Sequence, residues 1–160
     1  MLRLTELQRT LATIAPRSTE FAALQRQIFR TLEKHLDAGR GMCPLRDATA
    51  ASLLVTELDS LLAEGIEVPH YTILPNHWHA LLVPAVDSSV SLSQIMRRLK
   101  GRSARTINVH RNASGPLWQR EWFDRWIRDD TEWERCVAYI RNNPVKAGLV
   151  TEWTQHAWTK

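Results

Sequence analysis

Two histidines give the chain its clearest capacity for chemistry. His77 and His79 stand one residue apart in Tyr71-Thr-Ile-Leu-Pro-Asn-His-Trp-His-Ala-Leu-Leu-Val-Pro84, the best strand candidate in the sequence. Side chains on a strand alternate faces, so the two imidazoles would point the same way with Cα atoms ~6–7 Å apart, and Trp78 would point to the other face. A pair so placed can offer two nitrogens to one metal ion. A hydrogen-bonded surface pair without metal has the same spacing, and the pair alone leaves both readings open.

A second group lies far downstream. Tyr139 and Asn143 are four apart and share a face if the segment is helical. They sit beside an apolar stripe of Trp133, Cys136, Val137 and Ile140. A tyrosine at such a rim is often only amphipathic filler, but it is also a candidate nucleophile. Between the two groups, Ser91 to Arg111 holds Arg97, Arg98, Lys100, Arg102, Arg105 and Arg111 with no acidic residue. A solvated helix face would accommodate these cations. The lack of balancing acids favours a polyanionic partner instead. Together these are the parts for phosphodiester chemistry: a metal polarises the phosphate, a tyrosine oxygen attacks, and cations hold a nucleic-acid backbone.

Helices dominate the elements that must position these groups. Leu2 to Ile14 reads as a short amphipathic helix. Ser18 or Thr19 can cap a second, through Phe21, Leu24, Ile28, Leu32 and Leu36, ending at Gly39 or Gly41. Asp47 caps a third through Leu53, Leu54, Leu58, Leu61 and Leu62, closed by Gly65. Ser91 and Gln94 form a capping box for the basic helix, which Gly101 can interrupt. Thr131 and Glu134 form another for the tyrosine helix, after Asp129 and Asp130, which also favour a helix N-terminus. That helix is expected to end or kink near Asn143, because a proline such as Pro144 disfavours helical geometry in its predecessor, with room for one more turn over Val145–Ala147 closed by Gly148. Trp118, Trp122 and Trp126 have helical spacing, yet the Gly-Pro start and the aromatic enrichment favour a strand over Trp122–Arg128.

These elements predict an α+β fold, an antiparallel sheet flanked by helices, in one domain over residues 1–160. A helical segment occupies 1–66. Residues 67–150 carry the histidine strand, the basic helix and the tyrosine helix, and the tail 151–160 packs back on the domain. A length of 160 residues suits one domain. The formal charge of +4 suits a polyanionic partner without requiring one. Cys43 and Cys136 form no CxxC pair, which fits a reducing compartment. No apolar run approaches the ~20 residues that span a bilayer, and the start has no apolar core of a signal peptide. The expectation is a soluble cytoplasmic protein.

The order PNHWH, SLSQIMRRLKG, GPLWQREWFDRWIR, YIRNNPVKAGLV resembles the HUH single-strand transposases with one catalytic tyrosine. The closer resemblance is to their REP-associated branch. It covers roughly Gly39 to Val150, and its most specific parts are Pro75–His79 and Tyr139–Gly148. The resemblance implies a ferredoxin- or RRM-like HUH endonuclease core. It implies that His77 and His79 are paired ligands of Mg²⁺ or Mn²⁺ and that Asn143 completes the metal shell. Tyr139 would be the nucleophile, forming a 5′-phosphotyrosine bond and freeing a 3′-hydroxyl. Arg97, Arg98, Lys100, Arg102 and Arg105 would contact phosphates of single-stranded or hairpin DNA, with the protein acting as monomer or homodimer. The family also begins with a strand that pairs with the histidine strand. Met1 to Gly65 contains no convincing strand, so the chain is expected to start just after that element and to leave a sheet edge exposed. A DNA-binding remnant without catalysis and a hydrolase of small phosphoesters are the competing readings.

Overall fold

The computed structural model describes Leu7, Thr10, residues 13–15, 18–37, 41–120 and 122–160. The chain divides into two compact units, Met1–Met42 and Cys43–Lys160. Most of the expected helix Leu2–Ile14, and the expected stop at Gly39, lie outside the described residues. The first unit contains α1 (Thr19–Asp37). Its first turn is capped as expected, with the Phe21 N–H donating to Ser18 Oγ at 3.0 Å.

The second unit opens with a 3₁₀ turn, Pro44–Arg46, and α2 (Ala48–Ser60). Asp47 caps α2, its carboxylate accepting from the Ala50 N–H at 2.9 Å. Leu54, Leu58 and Leu61 follow helical spacing and are fully buried. They build the core with Ile66, Ile73 and, from α3 (Leu92–His110), Leu99 and Ile107. Gly65, at φ +75°, closes the 3₁₀ turn Leu61–Glu64 that follows α2. Glycine adopts that left-handed conformation without a Cβ clash.

The stretch expected as one strand is instead a hairpin. β1 (Ile66–Glu67), β2 (Tyr71–Ile73), β3 (Trp78–Ala80) and β4 (Val83–Pro84) fold the chain back on itself. β1 pairs antiparallel with β4, and β2 with β3, where Thr72 stands opposite His79. Between the two ladders the Leu81 N–H donates to the His70 carbonyl at 2.8 Å. Pro75-Asn76 explains the reversal. Proline presets φ and lacks an N–H, and asparagine suits turns. Across that turn the Leu74 N–H donates to the His77 carbonyl at 2.8 Å.

The other edge of β2 is covered. Ile73 N–H donates to the Trp158 carbonyl at 3.0 Å, and Lys160 N–H donates to the Tyr71 carbonyl at 2.9 Å. Thr72, completely buried, forms a bridge with Thr159, their hydroxyls 2.7 Å apart. The edge expected to be bare is therefore not along β2: the tail packs back, and it does so as strand-like backbone. The fold is α+β, with two small antiparallel ladders and helices against them.

α3 carries the expected Ser91/Gln94 capping box, with both reciprocal bonds present, and runs through Gly101 without interruption. One interior glycine costs a helix only ~1 kcal/mol relative to alanine, which packing of Leu99 and Ile107 exceeds.

α4 (Asp130–Lys146) departs from the expectation at its cap and at Pro144. Its cap is Asp129, whose carboxylate accepts from the Glu132 N–H at 2.7 Å, not the Thr131/Glu134 box. It also continues through Pro144. Asn143 and Pro144 are both buried, so tertiary packing outweighs the local bias against helix before proline. The helix stops at Gly148, φ +69°, where Leu149 N–H donates to the Pro144 carbonyl and Gly148 N–H to the Val145 carbonyl, each at 2.9 Å.

The expected strand Trp122–Arg128 does not form. Its aromatics supply β-propensity, but among the described residues no strand pairs with it. A side-chain tie holds it instead, Arg125 Nη2 to Glu132 Oε1 at 2.7 Å. No described helix is long and apolar enough to cross a membrane.

Candidate active site

The hairpin turn sets the position of His77, and the β2–β3 register sets that of His79. Their rings lie 5.1 Å apart between centroids and nearly perpendicular, at 88°. The intervening Trp78 packs against the core, as strand alternation requires. α4 packs on β2 and brings Tyr139 to the same place. The Tyr139 ring is 5.3 Å from that of His79, at 82°. Three of the residues singled out in the sequence thus meet, two from a hairpin and one from a distant helix.

The imidazoles are held in a state suited to coordination. His77 Nδ1 lies 2.8 Å from Asn76 Oδ1. With that oxygen accepting, Nδ1 carries the proton and Nε2 is the lone-pair nitrogen. His79 keeps some surface exposure as a residue, but its Nε2 is buried. Burial first, then the electrostatic influence of His77 and of Lys146, pushes its pKa from 6.5 down to about 3. His79 is therefore a neutral imidazole at physiological pH, the form that binds metals.

Asn143 lies one helical turn past Tyr139 on the same face of α4. It is only 1% exposed, and neither its Oδ1 nor its Nδ2 has a hydrogen-bond partner. A buried amide left in that condition costs about 1–3 kcal/mol, so it is usually explained by a ligand, ion or water. Among the described residues no group of three or more His, Cys, Asp or Glu gathers. Two imidazoles and an amide oxygen are a donor set that could hold Mn²⁺ or Mg²⁺, of which manganese accepts imidazole more readily.

Two contributors were not evident from the sequence. Asn76 orients His77, and the only signal was its place in the turn beside the histidine. Lys146 stands close enough to act on His79. Its signal was the spacing Tyr139, Asn143, Lys146, a four-then-three step along one helix face.

The basic run separates into two faces of α3. Arg98 Nη1 lies 3.0 Å from Glu64 Oε2, and Arg102 Nη1 lies 2.8 Å from Glu64 Oε1. An acid from outside the run therefore balances one side of it. Arg97 and Lys100 lie around the helix from that pair, and Arg105 is exposed.

Residues 57–143 match the family model described as "Transposase IS200 like", a span that includes His77, His79, Tyr139 and Asn143. A putative REP-associated tyrosine transposase of Haemophilus influenzae is 33% identical over 87 residues, covering 49% of this chain and 49% of that protein. An uncharacterized protein of the same organism is 24% identical over 101 residues, covering 50% of this chain and 55% of its own length. The chain spans about half the length of these curated relatives. No solved structure matches it.

Proposed function

Because the chain belongs to the IS200-like transposase family, we propose that it is a metal-dependent endonuclease and strand transferase that cleaves and rejoins single-stranded or hairpin DNA. The observation that carries this reading is the juxtaposition of His77, His79 and Tyr139 within 5.1 and 5.3 Å, ring to ring. In cleavage, Tyr139 Oη attacks the scissile phosphorus. The bond from phosphorus to the 3′ oxygen breaks as the phenol gives up its proton and that oxygen takes one, so the upstream strand leaves with a 3′-hydroxyl and the downstream strand stays on the tyrosine through its 5′ phosphate. The phosphotyrosine keeps the energy of the phosphodiester. Attack by a 3′-hydroxyl then reverses the step and rejoins a strand without ATP.

A free phenol ionises near pH ~10, so Tyr139 needs help to attack at neutral pH. His77, His79 and Asn143 would hold Mn²⁺ or Mg²⁺, which supplies Lewis-acid polarisation of the phosphate when bound. Neutral His79 is ready for this without losing a proton. Lys146 adds a positive charge near the reacting oxygens, and the buried position of Tyr139 Oη strengthens every charge interaction there.

The test is a labelled single-stranded hairpin incubated with protein and Mn²⁺, then resolved under denaturing conditions. The expected result is a covalent protein–DNA adduct that His77→Ala and His79→Ala reduce strongly and Tyr139→Phe abolishes. An adduct formed equally well by Tyr139→Phe would overturn the nucleophile assignment. Salt-sensitive DNA binding that survives His77→Ala, with no adduct under any metal, would mark a binding remnant instead.

A further inference from the structure

A groove of about 500 Å³ lies between one face of α3 and residues 116–120 and Trp122, and neither His77 nor His79 lines it. That volume falls within the ~300–1,000 Å³ of ordinary ligand sites. Arg97, Lys100 and Gly101 line one wall, and Trp118, Arg120 and Trp122 line the other. Basic and aromatic residues thus alternate around one concavity.

The two tryptophans differ in their anchorage. Trp118 Nε1–H donates to Ser103 Oγ at 2.9 Å, and that hydroxyl donates to the Leu99 carbonyl at 2.7 Å. Its ring is therefore a fixed wall. Trp122 is 42% exposed, with the Lys100 ammonium 5.6 Å from its ring centroid. Lys100 also donates to the carbonyls of Gln119 and Arg120, which straps the second wall to the helix. Among the described residues, neither Arg97 nor Arg120 has a carboxylate partner, whereas Arg98 and Arg102 on the adjoining face share Glu64.

Gly101 leaves the helix wall of the groove open. A Cβ built there meets nothing within 4 Å. A β-carbon at this groove-lining position therefore meets open space.

We propose that this groove is a binding site for an unpaired nucleobase of single-stranded DNA. The base stacks on Trp122, and Arg97 and Arg120 take the flanking phosphates. Aromatic platforms beside cations are how single strands are held without sequence readout, because every base presents a π face. A duplex keeps its bases stacked inside and cannot use the platform. The groove rests on the DNA-strand-transfer reading for its biological meaning. Its binding chemistry is separable from catalysis.

The test is equilibrium binding of a short oligothymidylate in EDTA, which removes metal-dependent cleavage from the measurement. The probes are the normal oligonucleotide, the same length with abasic sites, and a blunt duplex. Trp122→Ala is expected to weaken oligothymidylate binding by about tenfold or more, the scale of one lost stacking contact. Gly101→Leu, which fills that open space, is expected to do the same while leaving the helix as stable as wild type or more so. Both variants should bind the abasic strand and the duplex within about twofold of wild type. Unchanged oligothymidylate binding by both variants would overturn the proposal. So would equal losses on the abasic strand and the duplex, because the tryptophan would then act through the fold or through charge. Failure of the wild type to form an adduct with Mn²⁺ would count against the catalytic reading and leave these binding results standing.

Discussion

At the scale of single residues, the groups that hold the imidazoles matter as much as the imidazoles. Asn76 fixes the tautomer of His77 through a 2.8 Å contact. Outer-shell partners of this kind commonly contribute 10–100-fold to metal affinity. Asn76→Ala should therefore weaken Mn²⁺ binding by about that factor, read by electron paramagnetic resonance of free Mn²⁺, with little change in thermal melting. His79 carries a different consequence. Its pKa falls from 6.5 to about 3 in the fold. Between those values the unfolded chain binds the proton that the folded chain refuses, so stability falls as pH drops through this window. Above pH 6.5 the contribution is complete. Urea midpoints of metal-free protein should fall more steeply from pH 6.5 to 4 in wild type than in His79→Gln, and equal slopes would remove His79 as the cause. The sequence made His77, His79, Tyr139 and Asn143 legible because type and spacing carry them. Asn76 was not legible, since its role depends on the turn geometry.

At the scale of elements, caps and edges decide how firmly the site is mounted. Ser91→Ala removes one half of the α3 capping box and should cost about 1 kcal/mol in urea denaturation. The tail is a larger device. It pairs with β2 through Trp158–Lys160, and Trp153 stacks on Arg141 of the tyrosine helix, 4.6 Å from guanidinium carbon to ring centroid. It therefore touches both elements that carry the site. Removing Trp158–Lys160 should expose the Ile73 amide to fast hydrogen exchange and lower the melting temperature. Unchanged protection of Ile73 would mean that another segment covers that edge. Period and capping signals located α1, α2 and α3, because a helix is specified by neighbours along the chain. They failed at residues 71–84, where apolar residues on both sides of Pro75-Asn76 read as one strand. They failed again at Pro144, where burial on α4 outweighs a local backbone preference. The pairing of Thr72 with Thr159 could not be read at all, because strand partners distant in sequence leave no periodic trace.

At the scale of the whole molecule, the distribution of charge decides how a strand would approach. The acid-free run in α3 suggested cations without balancing acids, but Glu64 comes from the 3₁₀ turn after α2 and clamps Arg98 and Arg102. Such pairing cannot be seen in a linear charge pattern, because it is made by the packing of α2 on α3. The clamp lowers the positive potential on one face of α3 and leaves Arg97 and Lys100 on the other, with Arg120 facing them across the groove. Both guanidiniums are about half exposed, so the ion pairs contribute little to stability, and releasing them should be tolerated. Glu64→Gln should accordingly fold normally and bind single-stranded DNA more tightly at low salt. Each arginine that then reaches a phosphate steepens the plot of log affinity against log salt by roughly 0.7. Asp87→Asn makes the same change in net charge on an exposed loop and should leave the slope near its wild-type value. If the two variants shift affinity and slope alike, only net charge matters and the face bearing Arg98 and Arg102 does not meet the DNA. If Glu64→Gln alone steepens the slope, that face lies along the path of the strand, and Glu64 tempers its grip.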